Sequence, residues 1–414
     1  NLEQRFGDDW LLKINTAYTR GNVQNVRLYG TGNPNPATGS GIFLRAAAGD
    51  AEDTRRNIDA YLTGTFELFN QQHDVTFGAQ WADLEATTNT TTLNFPTDWA
   101  RCGSERCYYI PNVYDWNGDI SEVTYTRTGA RRVAKTTQSG VYLAARLHLA
   151  EPLSLIAGAR LSRWETRTRA FNAAGNYTGT SGAYKVTDEV TPYVGLVFDI
   201  TPNVSAYASY TEIFNPQNYK DKNENLLAPV QGSNLEAGLK TQWFDGRLTA
   251  NAAVFEAKQD NYAVRDMSVP DGSLSDGSSA YIGVNGTKAR GWEMDVNGEI
   301  LPGWTVNAGF THVKVTRAAT DLLYANPAED LLQINTQLRL RGALERLSVG
   351  AGVQWQSKVQ GYNIPYPLGG TVTVNQPAYA LVQFNANYRI SDNWTATLSV
   401  RNALDKTYWA NLDY

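Results

Sequence analysis

Few side chains in this sequence belong to the types that do covalent or metal chemistry. Its 414 residues include two Cys, three His and two Met. Cys102 and Cys107 stand in "RCGSERCYY" with four residues between them. Two thiolates could form half of a zinc site, but no further Cys or nearby His completes it. In an exported protein the same spacing reads as a small loop disulfide. His73, His148 and His312 are scattered, with no Ser or Cys nucleophile context around them. Glu293 and Asp295 are two apart, which on a strand puts both carboxylates on one face. Paired acids serve glycoside hydrolysis, yet similar residues recur on several segments, as a wetted face requires. "GTGNPNPATGSG" (30–41) is glycine-rich but lacks the Lys and following helix of a phosphate loop. No catalytic centre and no metal site is expected.

Aromatic surface, by contrast, is plentiful: 23 Tyr, 11 Trp and 13 Phe. The densest stretch is "NFPTDWARCGSERCYYIPNVYDWNGD", within 86–120, which holds Trp99, Tyr108, Tyr109, Tyr114 and Trp116 beside Arg101 and Arg106. Rings of this kind supply rigid, amphipathic contact area to a ligand. The same rings could instead pack the loop around a Cys102–Cys107 link. Trp99, Tyr114 and Trp116 are the leading ligand contacts. Tyr29, Tyr219, Tyr262, Tyr281, Tyr362 and Tyr366 follow, with an interfacial girdle as the competing role. The net charge of −5 comes with no basic stripe, so nucleic acid is not an expected partner.

The elements that would hold these rings announce themselves by a period of two. Trp394, Ala396, Leu398 and Val400 alternate with Thr395, Thr397, Ser399 and Arg401. Val382, Phe384, Ala386 and Tyr388 alternate with Gln383, Asn385, Asn387 and Arg389. Leu235, Ala237 and Leu239 oppose Glu236, Gly238 and Lys240. Such alternation marks antiparallel strands with one apolar and one polar face. About sixteen strands are expected, many of ten residues or longer. Short turns at 70–73, 150–152, 201–203, 245–246, 301–303, 343–346 and 391–393 alternate with long stretches. The long ones, at 29–50, 86–120, 170–184, 215–231, 265–282 and 359–375, read as loops.

Mean hydropathy is −0.40, too low for a bundle of membrane helices. It suits a transmembrane β-barrel, whose polar faces dilute the average. Trp81, Trp243, Trp304, Trp355 and Trp394 mark strand ends, as interfacial girdles do. The fold class expected is all-β: an antiparallel barrel with apolar faces against outer-membrane lipid, short periplasmic turns and long extracellular loops.

Four segments sharpen that expectation. "YASYTEIFNPQN" (207–218), "LAPVQGSNLEAGLKTQWFDGRLTANAAVFEAKQDNYAV" (227–264), "GTKARGWEMDVNGEI" (286–300) and "VRNALDKTYWAN" (400–411) resemble the barrel of TonB-dependent siderophore receptors. "AEPLSLIAGARLSRWE" (150–165) and "TPYVGLVFDITPNVSAYASY" (191–210) extend the likeness. It is strongest to the branch that takes up ferric coprogen, ferric rhodotorulic acid and ferric pyoverdine. The resemblance implies a ferric siderophore of hydroxamate type as ligand, bound by extracellular loops. Its iron arrives already chelated, so no cofactor is implied. It also implies a monomer energised by the TonB–ExbB–ExbD complex through a plug domain and TonB box. This sequence shows no plug, and "NALDKTY" (402–408) lacks the closing strand the family has. Residues 1–414 are thus expected to be an incomplete part of a 22-stranded barrel. Rival readings are a passive sixteen-stranded porin, an enzyme barrel, or a receptor for haem, cobalamin or a glycan.

Overall fold

The structure is a computed structural model and describes all residues except 104, 276, 317–327, 366–369 and 410–414. Strands β1 (Leu2–Phe6), β2 (Trp10–Gly32), β3 (Ile42–Leu68), β4 (Gln71–Asn94), β5 (Ala100–Cys102) and β6 (Glu105–Ile110) come first. They are followed by β7 (Thr124–Ala150), β8 (Leu153–Phe171), β9 (Tyr177–Thr201), β10 (Val204–Asn215), β11 (Val230–Trp243) and β12 (Leu248–Asp260). Next come β13 (Tyr262–Arg265), β14 (Tyr281–Val284), β15 (Thr287–Leu301), β16 (Trp304–Thr316) and β17 (Asp330–Arg339). The last are β18 (Leu347–Gln356), β19 (Val359–Pro365), β20 (Thr371–Gln376), β21 (Tyr379–Arg389) and β22 (Thr395–Val400). Among the described residues the sole helical element is a 3-10 turn, Gly342–Leu344. Among those residues no helix is long and apolar enough to cross a membrane.

The principal sheet has 18 strands, of which β5 and β6 form a short side hairpin. Sixteen strands remain, as the alternation predicts. Several of the expected loops are largely strand, among them 86–120, whose first residues continue β4 and which also holds β5 and β6. Residues 29–32 and 42–50 belong to β2 and β3, and the connection is only 33–41. Likewise β8 and β9 leave only 172–176 between them. Gly, Ala and Asn made these stretches look like loops, but each backbone N–H and C=O finds a ladder partner, and that decides strand over coil. The region 359–375 is also partly paired, as β19 with β20. The short turns fall where expected. Phe69 and Asn70 turn the chain at φ of 54° and 59°, the left-handed pair that suits a two-residue hairpin.

The chain forms two compact units. The first comprises Asn1–Gly64, Thr76–Tyr142 and Arg160–Val190. In it β2 and β3 pair without a register break from Trp10↔Gly64 to Gly32↔Ile42. Facing partners share a side of the sheet, so even-numbered residues of both strands share one face and odd-numbered residues the other. Leu12, Ile14, Ile58 and Leu62 make the even face apolar near Trp10. Lys13, Asn15, Asn57 and Asp59 make the odd face polar.

The second unit comprises Thr65–Val75, Leu143–Ala159 and Thr191–Tyr414. Here β9, β10, β11, β12, β15, β16, β17, β18, β21 and β22 pair antiparallel in succession. One face carries a hydrogen-bonded polar web. Asn251 and Asn297 both donate to Asp295, at 2.9 and 2.6 Å, and Gln383 donates to Asn335 at 3.0 Å. The acids at 293 and 295 therefore belong to a wetted face. Glu236, on that face, accepts from Tyr207. The other face exposes large apolar side chains in rows: Leu235 and Leu239 on β11, Val254 on β12, Met294 on β15. Trp394 and Leu398 are 72% and 64% exposed, so they do not pack inward against protein. Apolar rows with no protein against them are what a lipid-facing surface requires.

Leu239 lies four residues from Trp243, near mid-depth of such a surface. A Leu239→Arg change is expected to destabilise the whole protein by about 2–4 kcal/mol, against nearly nothing for Ser209→Arg on the polar face. Urea titration in lipid vesicles measures both; equal effects would remove lipid from the apolar face.

Candidate functional site

The aromatic stretch at 95–123 folds as a strapped loop in the first unit. Cys102 and Cys107 are disulfide-bonded, with Cα atoms 5.8 Å apart, and close the β5–β6 hairpin. Beyond it β6 joins the sheet by pairing Ile42↔Ile110, Phe43↔Tyr109 and Leu44↔Tyr108. Leu44, Trp99, Ile110 and Val123 form a buried cluster, with Val26, Ala46, Tyr108 and Trp116 packed around it. These residues lie on the even face of β2 and β3.

Trp99 has 0% of its surface exposed. Phe95 and Tyr108 contact its ring at centroid distances of 5.2 and 6.0 Å, and Arg106 donates to its carbonyl at 2.8 Å. A ring with no accessible surface cannot meet a ligand from solvent, so the expected role of Trp99 is corrected: it is the core of the loop. Tyr108 and Trp116 are half-buried in the same cluster, and the Trp116 indole donates to the Asp119 carbonyl at 3.4 Å. Tyr114 stands 63% exposed on the loop surface.

Adjacent strand residues point to opposite faces, and this separates Tyr108 from Tyr109. Tyr109 emerges on the odd face beside Phe43, ring centroids 5.4 Å apart. Tyr29 lies on the same face, opposite Arg45 on β3. Thr31 pairs with Phe43, and Arg27 is two residues from Tyr29. The result is a cross-strand patch of Tyr29, Phe43 and Tyr109 edged by two guanidinium groups. Glu105 holds Arg45 in an ion pair. Arg27 has no carboxylate partner among the described residues. Both tyrosines are well exposed. Phe43 and Arg45 were not foreseen, because 29–50 reads as loop; the alternation of Phe43, Arg45 and Ala47 with Leu44 and Ala46 is the signal that would have found them.

The second unit gathers a smaller set. Tyr219 and Tyr281 touch, ring centroids 4.4 Å apart, and Gln217 donates to the Asn261 carbonyl at 2.7 Å. In the β13–β14 hairpin, Tyr262 pairs with Val284 and Arg265 with Tyr281. Tyr262 and Tyr281 therefore fall on opposite faces and are not brought together. Tyr362 sits in β19, its side chain outside what is described, and Tyr366 lies outside the described residues.

One buried charge supports the loop. Asp50 is 3% exposed and takes Arg127 through two bonds of 2.7 and 2.9 Å, Asn89 at 2.8 Å and Tyr125 at 3.0 Å. It thereby ties β3, β4 and β7 together. Asp50 is about 60 Å along β3 from Leu68 at ~3.3 Å per residue, beyond any hydrocarbon slab. The Arg127 guanidinium, against the cost of burial, holds the Asp50 carboxyl down at about 2. A depressed carboxylate adds stability above its unfolded value of about 3.9 and loses it as pH falls through the folded one.

The TonB dependent receptor-like β-barrel family matches residues 1–403, and the chain belongs to it. It is an outer-membrane β-barrel chain. It is 29% identical over 419 residues to the ferripyoverdine receptor of Pseudomonas aeruginosa, matching 100% of this chain and 48% of the receptor. It is 32% identical over 420 residues to a ferric-pyoverdine 358 receptor of Pseudomonas putida, matching 99% of this chain and 48% of that protein. Among solved structures, the P. aeruginosa ferripyoverdine receptor bound to ferripyoverdine superposes with a TM-score of 0.83 at 28% identity, covering 99% of this chain and 52% of that one. The chain thus spans about half the length of the curated relatives it matches.

Two outcomes check this site. Trp99→Ala should cost the loop about 3–5 kcal/mol of local stability, opening 95–123 to protease while the strand ladder keeps its circular dichroism; a protease-resistant variant would show that Trp99 is not the core. Amide-exchange protection around residues 50, 89 and 127 should hold constant from pH 7 to about 5 and decline below about 4 towards 2. Asp50→Asn should abolish that acid-dependent part.

Proposed function

We propose that this chain is the barrel portion of a receptor that captures a ferric siderophore and imports it with energy delivered by the TonB–ExbB–ExbD complex. The observation that carries the reading is the exposed patch of Tyr29, Phe43 and Tyr109 with Arg27 and Arg45. Such a ligand encloses its iron in its own oxygen donors, so the protein supplies no iron ligand and no cofactor. What it must supply is flat ring surface for the organic shell and cations for its anionic groups. The patch has both. The relatives named for ferric pyoverdine support the ligand class, and the siderophore is one that bears hydroxamate groups. Tyr114 and Trp116, on the strapped loop, and the Tyr219–Tyr281 pair are secondary contacts. The protein acts as a monomeric transporter and catalyses no covalent step.

Tryptophan-fluorescence titration of the full-length receptor with ferric pyoverdine, ferric coprogen and ferrioxamine B tests the proposal. At least one is expected to bind below about micromolar. Tyr29→Ala and Tyr109→Ala should each weaken that binding by about 1–3 kcal/mol, the scale of a lost interface aromatic. Unchanged affinity in both variants would return the patch to a structural role, and no binding by any ligand would end the siderophore reading.

A further inference from the structure

The odd face of β2 and β3 carries Lys13, Arg27, Arg45 and Arg55, and these cations are not equally engaged. Glu3 holds Lys13 at 2.9 Å, Asp53 holds Arg55 at 3.1 Å, and Glu105 holds Arg45. Arg27 alone of the four has no carboxylate partner among the described residues. It is exposed, and its partner across the ladder is Ala47, whose methyl group leaves the guanidinium room. Arg45 is the partner of Tyr29, so it is diagonal to Arg27. Diagonal neighbours on a sheet lie about 7–8 Å apart. The open cation and the occupied one thus flank the same tyrosine.

Glu105 comes from neither strand. It belongs to the β5–β6 hairpin, where it faces Cys102, and the Cys102–Cys107 disulfide closes that hairpin. A carboxylate presented from a closed hairpin loses little conformational freedom in holding Arg45. The strapped loop therefore brings a fixed negative charge to the patch, and Glu105 stands 60 residues along the chain from Arg45.

Beside the rings of Tyr29, Phe43 and Tyr109 a ligand meets one unpaired guanidinium and one fixed carboxylate. The forked donors of Arg27 match a ligand carboxylate. A ligand ammonium would be opposed by Arg27, and a second ligand carboxylate by Glu105. Repulsion of this kind rejects a wrong ligand as effectively as attraction selects the right one. The rings alone would act the other way, since aromatic faces attract cations. In a ferric trihydroxamate the hydroxamate anions cancel the charge of the iron, so the charge of the complex is that of its peripheral arm.

We propose that Arg27 and Glu105 set the charge of the accepted ligand: a ferric siderophore whose peripheral arm ends in one carboxylate. Arg27 takes that carboxylate and Glu105 excludes a second. The proposal rests on the siderophore reading and narrows it to one charge class.

The test titrates the full-length receptor, by tryptophan fluorescence, with ferric complexes of one linear trihydroxamate in three forms. Its terminal amine is left as it is, acetylated, or succinylated, which makes the arm cationic, neutral or anionic on the same iron-binding backbone. The succinyl complex should bind about tenfold more tightly than the amine complex, with the acetyl complex between them. Raised salt should shrink that ratio. Arg27→Gln should bring it to about twofold or less, Arg27→Glu should invert the order, and Arg27→Lys should keep it. Each ratio is taken within one preparation, so a partly unfolded variant does not alter it. Glu105→Gln should improve binding of an arm bearing two carboxylates about fivefold relative to the succinyl complex. Lys258→Gln, on β12, should leave the wild-type ratio in place. Equal binding of the three forms by the wild type, or a succinyl preference that survives Arg27→Gln, would overturn the proposal while leaving siderophore binding intact. So would Glu105→Gln without effect on the two-carboxylate arm. Failure of all three complexes to bind would end the siderophore reading and this proposal with it.

Discussion

Hydrocarbon offers no partner to a peptide N–H or C=O, and each group left unpaired there costs several kcal/mol. A chain meant for that solvent must pair its backbone completely, and antiparallel strands in succession do so with short turns between neighbours. The ladder of this protein follows from that constraint. In the principal sheet, registers run over many residues with few breaks, and the shifts at Val204/Ser205 and Glu299/Leu301 lie at strand ends. Outside lipid the same ladder is optional, since water could satisfy the backbone. That β2 and β3 extend to 23 and 27 residues is therefore a property of the external part of the protein and not of the membrane crossing.

Once the backbone is committed to strands, a period of two assigns every side chain to one of two environments. Near the short turns the assignment separates lipid from water. Further along β2 and β3 it separates a packed loop from an open surface. Tyr108 and Tyr109 show how sharp this is: one residue apart, one packs on Trp99 and the other faces out beside Phe43. The strapped loop, closed by Cys102–Cys107, thus has its core on one side while the exposed Tyr29 and Tyr109 lie with Phe43 on the other.

Charges follow the same division, with different consequences on each side. Asp50 is buried and fully bonded, and Asp83 is likewise enclosed by Arg56 and Lys135, each at 3.2 Å. These carboxylates consume cations to fasten strands. Arg27, Arg169 and Lys185, by contrast, have no carboxylate partner among the described residues.

The sequence by itself determined the strand period, the number of strands, the short turns and the identity of the lipid-facing rows. Each is a local property: alternation needs only neighbours two residues apart, and a tight turn needs only its own few residues. The family likeness was legible for the same reason, through short motifs such as "NALDKTY". The exposed aromatic patch proposed for the ligand was legible only in part. Tyr29 and Tyr109 were among the aromatic candidates, but Trp99 ranked above them, and Phe43 and Arg45 were hidden in a stretch that composition marks as loop. Tertiary structure alone decided those assignments. Pairing of β6 with β3 joins residues more than sixty positions apart, and burial of Trp99 depends on Leu44 and Val123 arriving from either side of it. Contacts of that range are set by the register of distant segments, which no local pattern in the chain encodes.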